Sequence, residues 1–139
     1  MSIFALDSNI ISFYFKGNAD VIGNIEKALN NDDSIIITPI AYYEVKRGLL
    51  LINATKQLEK LEALCELFPV GEFGDYLLDE AIQIYVQERK AHRNTEDADI
   101  FIAAFCIHNG YTLVTDNVKH FQGITDLDLV NWTLADLGN

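Results

Sequence analysis

Basic residues are scarce in this chain: ten Lys and Arg stand against 21 Asp and Glu, a formal net charge of −11 at pH 7. A protein that coats nucleic acid nonspecifically neutralises phosphates with Lys and Arg, so this balance argues against that mode. It does not exclude an enzyme that reaches phosphodiesters through bound metal, and it suits a basic partner. Cysteine is nearly absent. Cys65 and Cys106 lie far apart, each inside an apolar helical pattern, and are expected as reduced core thiols. No apolar run approaches the ~20 residues that a membrane span needs. Met1-Ser2-Ile3-Phe4 carries neither a basic leader nor a cleavage-site pattern, so a cytoplasmic location without a membrane partner is expected. With two prolines, no repeat and no Gly-rich linker, nothing divides the chain, and its 139 residues are expected to form one domain, 1–139.

What is present is a recurring strand-then-helix pattern. Ile3-Phe4-Ala5-Leu6 reads as a buried strand that ends abruptly in Asp7-Ser8-Asn9. Helices are expected over Asn9–Phe15 and Ala19–Asn31, followed by a continuous apolar strand over Ser34–Thr38. Thr38-Pro39 is a helix start, with Thr as cap and Pro in the first turn. A second helix beginning at Asn53 or Thr55 carries Leu58, Leu61, Cys65 and Phe68, giving an apolar hairpin with more pattern than a small core needs. Phe68-Pro69-Val70 reads as an edge strand. From Asp75, positions Leu78, Ala81, Ile82, Tyr85 and Val86 make an amphipathic helix running into Arg89-Lys90-Ala91-His92-Arg93. Thr95 is expected to cap a helix over Glu96–His108 that closes at Asn109-Gly110, and strands follow at Thr112–Thr115 and Leu127–Trp132. The alternation gives an α/β fold: a central, mostly parallel five-stranded sheet with helices on both faces.

Acids recur at comparable places in this pattern: Asp7, Glu44, the pair Asp97 and Asp99, and Asp116. Each has a bland explanation. Asp7 can cap a helix, Glu44 can sit solvated, Asp97 and Asp99 suit the positive end of a helix dipole, and Asp116 suits a turn. Parallel topology nevertheless sends Asp7 and Asp116 to one sheet edge, where open α/β sheets bind ligands. Carboxylates gathered in one pocket raise each other's pKa unless a divalent cation relieves them.

Leu6-Asp7-Ser8-Asn9-Ile10, Tyr43-Glu44-Val45-Lys46-Arg47-Gly48, Asp99-Ile100-Phe101-Ile102-Ala103-Ala104, Leu113-Val114-Thr115-Asp116-Asn117 with Lys119-His120-Phe121, and Val130-Asn131-Trp132 resemble the PIN-domain family in order and spacing. The resemblance is strongest to its VapC-type endoribonuclease toxins of type II toxin-antitoxin pairs. It implies a three-layer PIN-like fold and Asp7, Glu44, Asp99 and Asp116 as catalytic residues ringing Mg²⁺ or Mn²⁺, which hydrolyse RNA to products with a 5′-phosphate and a 3′-hydroxyl. Ser8 stands where the family commonly has Thr, and in many relatives the fourth acid falls at the place of Asn117. Side chains two apart on a helix diverge by ~200°, so Asp97 and Asp99 do not share one site; the family pattern selects Asp99. Ser8, Asn9, Asp97 and Asn117 are then expected to support the acids and metal waters by hydrogen bonds.

Six of the ten basic residues, Lys46, Arg47, Arg89, Lys90, Arg93 and Lys119, lie in segments beside these acids and are candidates to hold the RNA backbone. The three histidines are left out of the mechanism, since none has ligand spacing to another. The resemblance further implies a cognate antitoxin that inserts a segment, often with an Arg, across the acidic pocket and binds promoter DNA together with the toxin. A homodimer is expected from family habit and the apolar hairpin. Two other readings remain: a PIN-fold interaction module without activity, and an Asp-nucleophile phosphatase, which wants a second Asp where this chain has Asn9.

Overall fold

The structure, a computed structural model, describes residues 1–134; the last five residues of the expected 1–139 domain lie outside the described residues. Strand β1 (Ile3–Leu6) is central. It pairs in parallel with β2 (Ser34–Ile37) on one side and β3 (Thr112–Val114) on the other, and β4 (Leu129–Val130) lies parallel beyond β3. Alternation along β1 splits the core into two apolar layers. Leu6 joins Ile10, Ile11, Val21, Ile37, Leu61 and Leu64 on one face, while Ala5 joins Leu77, Ile84, Ala103, Leu113 and Phe121 on the other. Helices α1 (Ser8–Phe15), α2 (Ala19–Asn30), α3 (Pro39–Leu51) and α4 (Thr55–Leu67) contribute to the first layer, and α5 (Tyr76–Lys90), α6 (Asp97–Asn109) and the short α7 (Val118–Phe121) to the second.

The sheet has four strands among the described residues, not the expected five. Val70 makes only an isolated parallel bridge to Ile37, in which the Ile37 amide donates to Pro69 and the Gly71 amide to Ile37, both at 2.9 Å. Pro69 has no N–H with which to extend that ladder. Gly71 then lies so close to the Phe105 ring that a Cβ would collide with it, so glycine is what admits this approach. The last strand is likewise shorter than Leu127–Trp132. Trp132 is buried against Phe4, with ring centroids 5.0 Å apart.

Local chemistry sets the helix ends. Thr38 caps α3, its hydroxyl accepting from the Ala41 amide at 3.2 Å, with Pro39 in the first turn. Asn53 adopts a left-handed φ of 54°, so α4 starts at Thr55. Gly110, at φ 71°, closes α6. Two expectations about α5 and α6 are corrected. The face of α5 that packs inward is Leu77, Ala81, Ile84 and Glu88, leaving Leu78, Ile82, Tyr85 and Val86 exposed: this helix is apolar on two sides, and α6 covers one. Thr95 does not cap α6: the cap position falls on Glu96, with no side-chain hydrogen bond, and the Thr95 hydroxyl donates to Glu88.

Candidate active site

Asp7 is the first residue past β1, where the backbone leaves the sheet and turns into α1. Its amide still belongs to the sheet, donating to Val114 at 3.0 Å, while its carboxylate is only 4% exposed. One oxygen accepts from the Ser8 amide at 2.7 Å and the other from the Thr115 hydroxyl at 2.8 Å. Burial pushes the Asp7 carboxyl above the ordinary carboxylate range. The bonds from Thr115 and Ser8 oppose the rise, and the Asp99 charge adds to it.

Two further acids share that environment. Glu44 projects from the second turn of α3, half-buried, with Arg47 one turn along. Its carboxyl is raised by burial and then by Asp7 and Asp99, against the Arg47 charge and a hydrogen bond with the Ser8 side chain. Asp99 lies in the first turn of α6, half-buried, and is raised by burial against the opposing His120, whose Nδ1 stands 3.3 Å from Asp99 Oδ2. Asp97, in the same turn, is exposed. Three acids, the one that follows β1 and those on α3 and α6, are thus each harder to ionise than a free carboxyl, first because of burial; Asp7 and Asp99 add to the rise at Glu44, and Asp99 adds to that at Asp7.

Asp116 stands at the same sheet edge with a different orientation. Its amide donates to Asn9 Oδ1 at 3.0 Å, but its exposed carboxylate accepts from Thr133 Oγ1 at 3.2 Å and Asn131 Nδ2 at 3.4 Å, on the segment after β4. Asn9 also donates to Thr115 Oγ1 at 3.3 Å, and the Asn117 amide donates to the same oxygen at 3.1 Å. Thr115, fully buried, therefore organises Asp7, Asn9 and Asn117 around one hydroxyl. Its position at the end of β3, directly before Asp116, was the available signal for that role.

The basic candidates separate by geometry. Arg47 lies over the Tyr43 ring, 4.8 Å from its centroid, and acts on Glu44. Lys119 and Arg93 both line a cleft of about 320 Å³ with Asp99, His120 and Thr95. Lys46 faces the α3–α4 groove instead, donating to Tyr42 Oη at 2.8 Å. Arg93 is held by Glu88 and Gly123, and Arg89 donates to the Arg93 and Thr95 carbonyls. Lys90 is exposed at the end of α5. His120, set aside on spacing, sits beside Asp99 because Phe121, the next residue, is anchored with no exposed surface in the α6 layer. The adjacency of His120 to that apolar anchor was its sequence signal.

Among the described residues, no three His, Cys, Asp or Glu side chains converge closely enough to hold a metal ion alone. Mg²⁺ keeps several waters of its own and takes one or two carboxylates directly. The donors are hard oxygens, as Mg²⁺ and Mn²⁺ prefer.

Residues 4–125 match the PIN domain family. Ribonuclease VapC1 of Haemophilus influenzae is 29% identical over 136 residues, spanning 94% of this chain and 98% of its own. The solved structure of VapBC2 from Rickettsia felis, bound to a DNA fragment from their promoter, superposes with a TM-score of 0.86 at 25% identity, covering 94% of this chain and 98% of that one. VapBC-1 from nontypeable Haemophilus influenzae gives 0.84 at 28% identity, covering 95% and 99%. With a parallel sheet that brings three acids raised by burial to one edge and a match that spans most of its length, this chain belongs to the PIN-domain family.

Proposed function

We propose that this chain is an endoribonuclease toxin, neutralised by a cognate antitoxin, that hydrolyses RNA phosphodiesters at a site holding Mg²⁺ or Mn²⁺. The observation that carries the reading is that Asp7, Glu44 and Asp99, buried or half-buried, are all raised by burial, with the Asp7 and Asp99 charges adding at Glu44, since a nearby cation favours the charged form of all three together. Asp7 and Asp99 are the direct ligands in this reading, with Glu44 linked to Asp7 through Ser8 and Asp116 at the rim. A divalent cation bound there supplies positive charge against the phosphoryl oxygens and lowers the pKa of a water.

The chain's own residues prepare the rest. Thr115 and the Ser8 amide fix the direction of both Asp7 oxygens, so no side-chain rotation is needed when substrate arrives. Glu44, raised yet half-exposed, is placed to take up a proton from the attacking water. Lys119 and Arg47 flank the acids and are the basic residues best placed for phosphates on either side of the scissile bond. The products carry a 5′-phosphate and a 3′-hydroxyl.

The antitoxin reading is supported by the solved toxin-antitoxin relatives and by the charge of −11, which favours a basic inserted segment. An antitoxin and a second copy of the chain both require apolar surface. Two such faces are present: the α3–α4 groove of about 580 Å³ lined by Tyr42, Leu50, Leu58 and Leu61, and the exposed α5 stripe. The test is cleavage of total RNA by purified, antitoxin-free protein with Mg²⁺ or Mn²⁺, with EDTA and Asp7→Asn as controls. Discrete products that vanish in both controls support the nuclease. Absence of any cleavage moves the assignment to an interaction module.

A further inference from the structure

Glu88 is a buried acid outside the site, and none of the roles above uses it. It lies on the inward face of α5, 2% exposed, among apolar residues, where a Leu would fit the pattern. Its two oxygens are fully engaged. Oε2 accepts from Arg93 Nε at 2.9 Å and Nη2 at 2.6 Å, and Oε1 accepts from Thr95 Oγ1 at 2.7 Å. The same Arg93 Nη2 donates to the Gly123 carbonyl at 3.0 Å, across to the segment after α7. A Cβ at Gly123 would come within 2.7 Å of Arg93 Nε, so glycine is what admits this approach. Arg89 completes the clamp, donating to the Arg93 and Thr95 carbonyls at 3.0 and 3.1 Å.

Everything this clamp grips is connector. Residues 91–96 join α5 to α6, with His92 in a left-handed φ of 61°, and α6 begins behind Glu96 without any side-chain cap of its own. The first turn of α6 carries Asp99, and the Gly123 segment follows directly on α7, which carries Lys119 and His120. With Glu88 buried and Arg93 exposed, this ion pair adds little net stability compared with an apolar replacement of similar volume, but it fixes one geometry. We propose that Glu88 is a positioning residue: through Thr95 and Arg93 it sets where α6 starts and thereby holds Asp99 and the His120 segment in register with Asp7. The proposal rests on the reading of Asp99 as a metal ligand.

Glu88→Leu, Thr95→Val, their double variant and Asp99→Asn, each in the full chain, test it. The measurements are RNA cleavage kinetics corrected for the folded fraction and Mn²⁺ affinity without RNA, followed by the electron paramagnetic resonance of free Mn²⁺. Glu88→Leu is expected to fold, to lose about 10-fold in kcat and about 10-fold in Mn²⁺ affinity, and to leave the KM for RNA within about twofold. Thr95→Val should act in the same direction, and the double variant should be no worse than Glu88→Leu, because both break one path. If Glu88→Leu fails to fold, Thr95→Val carries the test. Folded variants with wild-type kcat and Mn²⁺ affinity, beside an Asp99→Asn that has lost Mn²⁺, would overturn the positioning role alone. Mn²⁺ binding unchanged in Asp99→Asn would overturn the site reading on which it rests.

Discussion

Asp7→Asn should make the metal-free protein more stable at neutral pH while abolishing cleavage. An uncompensated ion at this depth costs several kcal/mol, and the charge-assisted bonds from the Ser8 amide and Thr115 offset much of it. Asn keeps the shape but only one of those bonds, since its amide nitrogen meets a donor on one side or the other. That loss is about 1 kcal/mol. Against it stands the removal of a buried charge that also strains Glu44, for a net gain of about 1–2 kcal/mol, or roughly 3–8 °C in the midpoint for a domain of this size. The sign with pH follows from the raised Asp7 carboxyl. The folded state holds that proton more tightly than the unfolded chain, so the wild-type penalty is present above the folded pKa and fades as pH falls toward the ordinary carboxylate range. The gain should therefore be largest near pH 7.5 and vanish near pH 4. Saturating Mg²⁺ reverses the order: a hundredfold excess over the dissociation constant stabilises wild type by about 2.7 kcal/mol and the variant hardly at all. Differential scanning calorimetry at several pH values, with EDTA or Mg²⁺, reads all of this. An Asp7→Asn variant less stable than wild type in EDTA at pH 7.5, or a difference that does not change with pH, would refute the reasoning.

Three other outcomes follow from the same geometry. Thr115→Val removes the hydroxyl shared by Asp7, Asn9 and the Asn117 amide; urea denaturation should register about 1–3 kcal/mol of lost stability, and cleavage should fall by about 10- to 100-fold. Asp99→Asn should abolish Mg²⁺-dependent cleavage while Asp97→Asn, on an exposed side chain, keeps most of it; full activity in the first with loss in the second would exchange their roles. Phe121→Ala opens a cavity under α7 and should cost about 3–5 kcal/mol, with cleavage lost even in the folded fraction because His120 and Lys119 are displaced with it.

Element boundaries were legible where residues speak through local rules. Asp7 after an apolar run, Thr38-Pro39 at a helix start and Gly110 at a helix end each announce a boundary through backbone chemistry, and the structure puts boundaries there. The failures are of another kind. Val70 forms one bridge because Pro69 stops the ladder, and Phe105 packs on Gly71 from 34 positions away; a strand pattern does not carry that contact. On α5, apolar residues occur on two sides, and only the position of α6 decides which is inside. The acids follow the same division. Asp7, Glu44, Asp99 and Asp116 were singled out by their places in the pattern, but the orientation of Asp116 toward Asn131 and Thr133 depends on a loop after β4. Thr115 and His120 belong to the site through contacts made across 108 and 21 residues.

Asp7 and Glu88 are both carboxylates with almost no exposed surface, and the chain treats them oppositely. Glu88 is met by a guanidinium and a hydroxyl, and the Arg93 hydrogen bonds hold its carboxyl below the ordinary range despite burial. Asp7 is met by an amide and a hydroxyl only, and burial wins. The two therefore pull the pH profile of stability in opposite directions. As pH falls, the Asp7 penalty disappears through its raised folded pKa, while the Glu88 contribution is kept until pH drops through its lowered one. A buried acid whose charge is already matched is complete within the fold. One whose charge is left unmatched, beside two others that burial also raises, has its counter-charge still to come. The difference can be read by titrating Mg²⁺ into wild type at rising pH: stabilisation by the metal should grow as Asp7, Glu44 and Asp99 ionise, and Glu88→Leu should weaken that response without removing its pH dependence. A Mg²⁺ response that is flat across the range in which those three acids ionise would mean that their strain is not what the cation relieves.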